Sequence, residues 1–192
     1  MLRHLYDWTM SLATGPRASM ALGAVSFAES SIFPIPPDLL LIPMVLARRA
    51  RAWALAFLCT VASVIGGLAG YAIGALLFAQ IAEPILSFYG YLNAFQVFQV
   101  KYNAWSAWAV LIAGVTPFPF KVITIASGAT RLDLVVFIIA SIAARGVRFF
   151  AVAGLLYLFG PPIRTFIEKR LGLVFTVFVV MLVAGFAAIK LI

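Results

Sequence analysis

Five ionisable side chains interrupt stretches that are otherwise apolar: Glu29 in "SFAES", Asp38 behind "PIPP", Lys121 behind "TPFPF", and Arg145 with Arg148 in "ARGVRFF". At the centre of a membrane-spanning helix an Asp, Lys or Arg costs about 2.5 to 3.5 kcal/mol, so each needs a partner or a purpose. Arg145 and Arg148, three apart, project from one side of a helix, and Gly146 leaves room beside them. Two acids against three bases leave one positive charge in surplus, which favours an anion. Phosphate suits these residue types. Guanidinium forks match its oxygens, and the free N–H groups of broken helices add to the attraction. The competing arrangement is a self-satisfied network, Glu29 with an arginine and Asp38 with Lys121, that merely holds segments together. Glu29 and Asp38 also suggest proton coupling, since a carboxylate removed from water is a candidate proton carrier.

Other chemistry is poorly served. The single histidine, His4, sits at the start of the chain, which argues against His-based hydrolysis and against a His-ligated metal. Glu29 and Asp38 lack the further carboxylates that a metal for phosphoryl transfer would need. The lone Cys59 excludes an internal disulfide and reads as a small buried apolar residue. No catalytic residue, metal site or cofactor is therefore expected.

The elements that must position these charges are membrane segments. The 192 residues are 65% hydrophobic and only 10% charged, with a mean hydropathy of +1.11, more apolar surface than one soluble core could cover. An all-α integral membrane protein is expected, as a single membrane domain over 1–192. The formal charge of +8 would suggest nucleic acid in a soluble protein. Here the basic residues cluster at segment ends, Arg48, Arg49 and Arg51 in one group, Arg164, Lys169 and Arg170 in another. That positive-inside pattern places both groups in the cytoplasm and makes anionic lipid, not nucleic acid, the natural partner.

Residues 52–79 are uncharged and long enough for a tilted spanning helix. Within them "GGLAGYAIG" sets Gly66, Gly70 and Gly74 four apart, a stripe that lets another backbone approach closely. Residues 80–104 alternate apolar and polar positions by three and four, predicting an amphipathic surface helix begun at Pro84. Residues 134–159 and 172–191 predict further spans, with "GPPIRTFIEKRLG" ending the first. Residues 1–16, with Leu2, Leu5, Trp8 and Leu12 at helical spacing, read as an interfacial helix and not as a cleaved signal peptide.

Residues 18–47 and 105–130 fit none of these descriptions. "FPIPPDLLLIP" (33–43) and "TPFPFKVITIA" (116–126) align without a gap, Asp38 falling on Lys121. Pro34, Pro36 and Pro37 break the first, Pro117 and Pro119 the second, and each is read as a re-entrant hairpin turn. Such irregular backbone is tolerated in hydrocarbon only where protein or trapped water covers it. Separated by one spanning and one surface helix, the hairpins should enter from opposite faces. The expected fold is an inverted repeat of two opposed hairpins packed on three to four spanning helices.

The stretches "FAESSIFPIPPDLLLIP", "GGLAGYAIG", "AGVTPFPFKVITIASGA" and "ARGVRFF" together resemble the DedA superfamily, also called SNARE-associated or VTT-domain membrane proteins, and within it a short bacterial branch. The resemblance spans roughly residues 17 to 160. It implies opposed re-entrant hairpins, a multi-pass protein of the bacterial inner membrane, and movement of lipid head groups across the bilayer. Undecaprenyl phosphate is implied as a substrate for bacterial members and phospholipid for eukaryotic ones. The family's two acids look like Glu29 and Asp38, and its second loop basic residue like Lys121. Val115 stands where many members carry an arginine, a departure that Arg145 or Arg148 would make good from the next helix, or that marks a different lipid.

The expectation is thus a lipid translocase in which Lys121, Arg145 and Arg148 hold an anionic phosphate head group while Glu29 and Asp38 balance charge or carry protons. The rivals are a proton-coupled antiporter for a small solute or cation, and a non-transporting membrane assembly factor. Self-association into a homo-oligomer is compatible with each of the three.

Overall fold

The computed structural model describes residues 17–32, 36–116 and 119–169. The interfacial helix expected over 1–16, the hairpin prolines Pro34 and Pro117, and the span expected over 172–191 lie outside the described residues. Among these residues every regular element is helical: α1 (Ala18–Ser31), α2 (Asp38–Ala47), a short 3-10 turn (Arg49–Arg51), α3 (Ala52–Leu77), α4 (Glu83–Phe88), α5 (Leu92–Val115), α6 (Phe120–Ala129) and α7 (Leu134–Lys169). Among the described residues two stretches are long and apolar enough to cross a membrane, Arg49–Phe88 with 40 residues and Leu134–Gly160 with 27.

Proline chemistry sets the breaks. α1 ends at Ser31, where the coming prolines can donate no hydrogen bonds, and α2 restarts with Pro37 as its cap and Asp38 in its first turn, where a negative charge complements the helix dipole. α6 likewise starts directly after Pro119. The turn from α6 to α7 uses Arg131 at φ 52°, and Asp133 Oδ1 accepts the Val136 N–H at 2.9 Å, capping α7.

Two boundaries carry irregular turns. A helix does begin at Pro84, since α4 (Glu83–Phe88) has it in its first turn, but it follows α3 directly through a π-helical turn (Phe78–Ala82), and the chain breaks again at Gly90 with φ 72°. A π turn moves the backbone by one residue, so Pro84 falls in a first-turn position where its missing N–H costs little. As expected, the helix over 134–159 is broken at Gly-Pro-Pro. α7 kinks at Phe159 (φ −111°) and resumes to Lys169. The Tyr157 carbonyl, four residues before Pro161, accepts instead from the Arg49 guanidinium, which also lies over the Tyr157 ring at 5.9 Å. That contact brings Arg49 of the 48–51 basic cluster against α7 just before its kink.

Glycines set the depth of packing. A methyl group on Gly66 would collide with the Phe27 carbonyl, one on Gly74 with the Ile125 carbonyl, and one on Gly128 with the Tyr71 carbonyl. At Gly70 it would meet both Ser30 and Thr124. Earlier along α3, Leu58 faces Gly23. α1 and α6 therefore lie end to end along one side of α3, α1 on the first part and α6 on the second. α7 carries a matching pair. The end of α5 packs on its first half, with Gly114 against Ala144, and α2 packs on its second half, where Leu41, Met44 and Val45 share a core with Phe149, Ala153 and Leu156.

Beside its apolar core the bundle buries many polar side chains and leaves large apolar ones outside. Ser26, Ser30, Ser63, Thr124, Ser127, Thr130, Ser141 and Arg145 are buried, whereas Phe57, Leu76, Trp105, Trp108, Val135, Ile139 and Leu158 are exposed. α5 turns two polar side chains inward. Gln99 and Asn103 turn inward to donate to the Thr130 carbonyl at 2.9 and 3.0 Å, and Val97, Phe98 and Val100 face out. A kink at Ser106, held at φ 29°, separates this stretch from the last turns of α5.

Candidate functional site

The end-to-end helix pairs create two junctions, each joining the carbonyl end of one helix to the amide end of another. In the first, the end of α1 meets the start of α6. Pro34 and Pro36 lack the N–H groups that would have bonded to the Ser30 and Ile32 carbonyls four residues earlier. Side chains of α6 stand in for them: Thr124 Oγ1 shares its one proton between the Ser30 carbonyl at 3.0 Å and the Lys121 carbonyl of its own helix at 2.9 Å, and Lys121 Nζ donates to the Ile32 carbonyl at 3.2 Å. In the second, the end of α5 meets the start of α2. Arg148 spans it, donating through Nη1 to the Thr116 carbonyl at 2.9 Å and through Nη2 to Asp38 Oδ2 at 2.5 Å.

Between the junctions lies a closed polar ring. Arg145 Nη2 donates to Glu29 Oε2 at 2.5 Å and Arg145 Nε to Ser63 Oγ at 2.6 Å. Ser63 Oγ and Ser30 Oγ are 2.5 Å apart, and Ser30 Oγ donates to Glu29 Oε2 at 3.3 Å. One proton arrangement satisfies the whole circuit, each serine accepting from one neighbour and donating to the next. The guanidinium is further clamped between the Phe120 and Phe149 rings, 4.9 and 4.7 Å from its carbon.

The sequence-predicted charges therefore separate into three kinds. Arg145 is fully buried and Glu29 nearly so (12% exposed), a pair sealed inside the bundle. Arg145, expected to hold a phosphate, has Nε and Nη2 on protein partners, and its Nη1 is buried without a hydrogen-bond partner among the described residues. Arg148 and Asp38 are each 17% exposed, a pair at the rim. Asp38 thus pairs with Arg148 and not with Lys121, because Arg148 lies opposite the first turn of α2 while Lys121 turns to α1. Lys121 makes no ion pair among the described residues. Arg148 reaches the Thr116 carbonyl, next to Val115, from α7.

Of the hairpin prolines, Pro36, Pro37 and Pro119 border the two junctions. Gly66, Gly70 and Gly74 bring α1 and α6 against α3. Ser30, Ser63 and Thr124 escaped the sequence reading. Ser30 had a signal, standing next to Glu29 and four before Pro34, whereas Ser63 in "VASVIGG" is indistinguishable from a small packing residue.

Comparison with known proteins adds kinship. An uncharacterized protein of Haemophilus influenzae is 33% identical over 186 residues, covering 97% of this chain and 96% of its own length. The chain belongs to its family. An uncharacterized HI0703 homolog of Histophilus somni is 32% identical over 151 residues, 79% of this chain and 78% of that relative. No family model and no solved structure matches the chain.

Proposed function

We propose that this chain is a multi-pass protein of the bacterial inner membrane that carries phosphate-bearing lipid head groups across the bilayer, as a flippase or scramblase. Undecaprenyl phosphate and glycerophospholipid are the candidate cargoes. The observation that carries this reading is where the junctions fall. Gly67 and Gly70, which face Thr124, are near the midpoint of Arg49–Phe88, and Arg148 is near the midpoint of Leu134–Gly160. Broken helix ends and two partly exposed cations, Lys121 and Arg148, would then sit halfway through the hydrocarbon, where transporters place their binding sites. The outward apolar residues and inward hydroxyls support a lipid surrounding, and the DedA resemblance supports two opposed re-entrant hairpins in an inverted repeat.

In this reading the head group is held by Lys121 and Arg148, the second released from Asp38 as phosphate competes for its guanidinium. The Glu29–Arg145 ring keeps the hairpins in register. The acyl chain stays in hydrocarbon while the head passes. The test is a proteoliposome assay offering labelled undecaprenyl phosphate and ordinary phospholipids in parallel. Movement of at least one phosphate lipid, abolished by Lys121→Gln, is the expected result. Transport of a small solute that survives Lys121→Gln would instead identify an antiporter using the same acids, and unchanged head-group movement under an imposed pH gradient would remove proton coupling alone.

A further inference from the structure

Three buried polar atoms in one part of the bundle have no hydrogen-bond partner among the described residues: Ser26 Oγ, Asp38 Oδ1 and Arg145 Nη1. α1 and α3 run side by side in the same direction, Gly23 facing Leu58 and Phe27 facing Gly66. Ser26 and Cys59 stand one helical turn before Ser30 and Ser63, whose hydroxyls are 2.5 Å apart, so they form the next layer along the same seam. Ser26 lies beside the Cys59 thiol, and the charges that act on that thiol are those of Asp38 and Arg145. Arg145 in turn feels Asp38 and Arg148 as well as its partner Glu29. α7 closes the layer, since Phe149, whose ring flanks the Arg145 guanidinium, shares a core with Cys59.

The chemistry of the three atoms says what would join them. Arg145 Nη1 can only donate, Asp38 Oδ1 as a carboxylate oxygen can only accept, and Ser26 Oγ can do either. A cation would be opposed by the guanidinium and an anion by the carboxylate. A water molecule accepts from the first and donates to the second, and a third partner completes the number of bonds that internal waters usually make. Left bare, a buried charged donor and a buried charged acceptor would each carry their full desolvation penalty.

We propose that an ordered internal water sits among Ser26, Asp38 and Arg145, accepting from Arg145 Nη1 and donating to Asp38 Oδ1, with Ser26 Oγ as its third partner. It joins the sealed Glu29–Arg145 pair to the Asp38–Arg148 pair at the rim, so that the two ion pairs act as one network across α1, α2 and α7. The site is independent of what the protein carries.

Cys59 is a built-in reporter, fully buried beside the proposed water. The full chain in detergent micelles is exposed to a short X-ray pulse in heavy-oxygen water, which makes hydroxyl radicals at ordered waters as well as in bulk, with a scavenger present to remove the bulk radicals. Mass spectrometry then reads heavy oxygen at Cys59 and at a second thiol introduced by Val110→Cys, at an equally buried position in the other apolar core. Cys59 should be labelled about tenfold faster than that control, because only it adjoins an internal water. Ser26→Val, which puts methyl groups where the water sits, should bring Cys59 down to the control rate. Equal labelling of the two thiols, or Cys59 labelling that the scavenger abolishes, would overturn the proposal without any variant of the site. Cys59 labelling indifferent to Ser26→Val would overturn the placement. The link between the pairs is read from thermal unfolding: Glu29→Gln and Asp38→Asn together should depart from the product of their single effects on the unfolding equilibrium constant, and Ser26→Val should shrink that departure by about threefold or more. A departure that Ser26→Val leaves unchanged would overturn the link.

Discussion

Glu29 and Arg145, 116 positions apart, form the more deeply buried of the two ion pairs among the described residues, while Asp38 and Arg148 form the more accessible one at the same 2.5 Å separation. Distance alone would rank them equal, and burial does not. Removing one partner of a sealed pair leaves an uncompensated charge, worth about 3 to 5 kcal/mol, whereas replacing both with apolar residues is often close to neutral. Glu29→Gln should therefore destabilise the protein by about 3 kcal/mol in thermal unfolding in detergent. The double variant Glu29→Leu with Arg145→Met should recover most of that loss.

Asp38→Asn should cost only about 1 kcal/mol, since its pair is partly solvated and Arg148 keeps the Thr116 carbonyl. Its effect on transport should be larger than its effect on folding. With no carboxylate to compete for Arg148, phosphatidic acid should bind more tightly and move more slowly. Equilibrium binding and initial translocation rates in the same preparation test this opposition.

Thr124→Val keeps the side-chain volume and removes the donor that serves the Ser30 carbonyl. The cost should be about 1 to 3 kcal/mol, the penalty of a buried acceptor left bare. Hydrogen exchange of the last turn of α1 should report it, because the lost bond anchors that turn from outside.

Glycine substitutions should divide sharply by what each α-carbon faces. Gly66→Ala, Gly74→Ala and Gly128→Ala each drive a methyl into backbone, which cannot yield as a flexible side chain would, and should cost about 3 kcal/mol or more. Gly146→Ala meets nothing nearer than Thr60 Cγ2 at 3.9 Å and should stabilise by up to about 1 kcal/mol through helix propensity. Thermal unfolding of the four variants side by side decides it.

Local chemistry made part of this architecture legible. Prolines mark where helices break, the Gly66, Gly70 and Gly74 stripe marks a close approach, and ionisable residues in apolar runs mark a polar interior. Partner choice was less legible. Lys121 and Arg148 carry the same charge, and only the seating of α2 on α7 gives Asp38 to Arg148. Periodicity over 92–105 defines two faces without saying which turns inward. That orientation depends on the Thr130 carbonyl awaiting Gln99 and Asn103 from another part of the chain. The π turn was hidden for a similar reason, since Pro84 begins a helix and follows a distorted turn with equal ease.

The end-to-end seating of α1 and α6 on α3 has a consequence for how the molecule is made. During synthesis α3 is complete some forty residues before α6 exists, so its notches at Gly70 and Gly74 and the bare Ser30 carbonyl must wait. Neither half can finish assembling by itself, and a ribosome stalled after α5 would leave an unfinished bundle with a polar seam on its side, the kind of surface that quality-control proteases recognise.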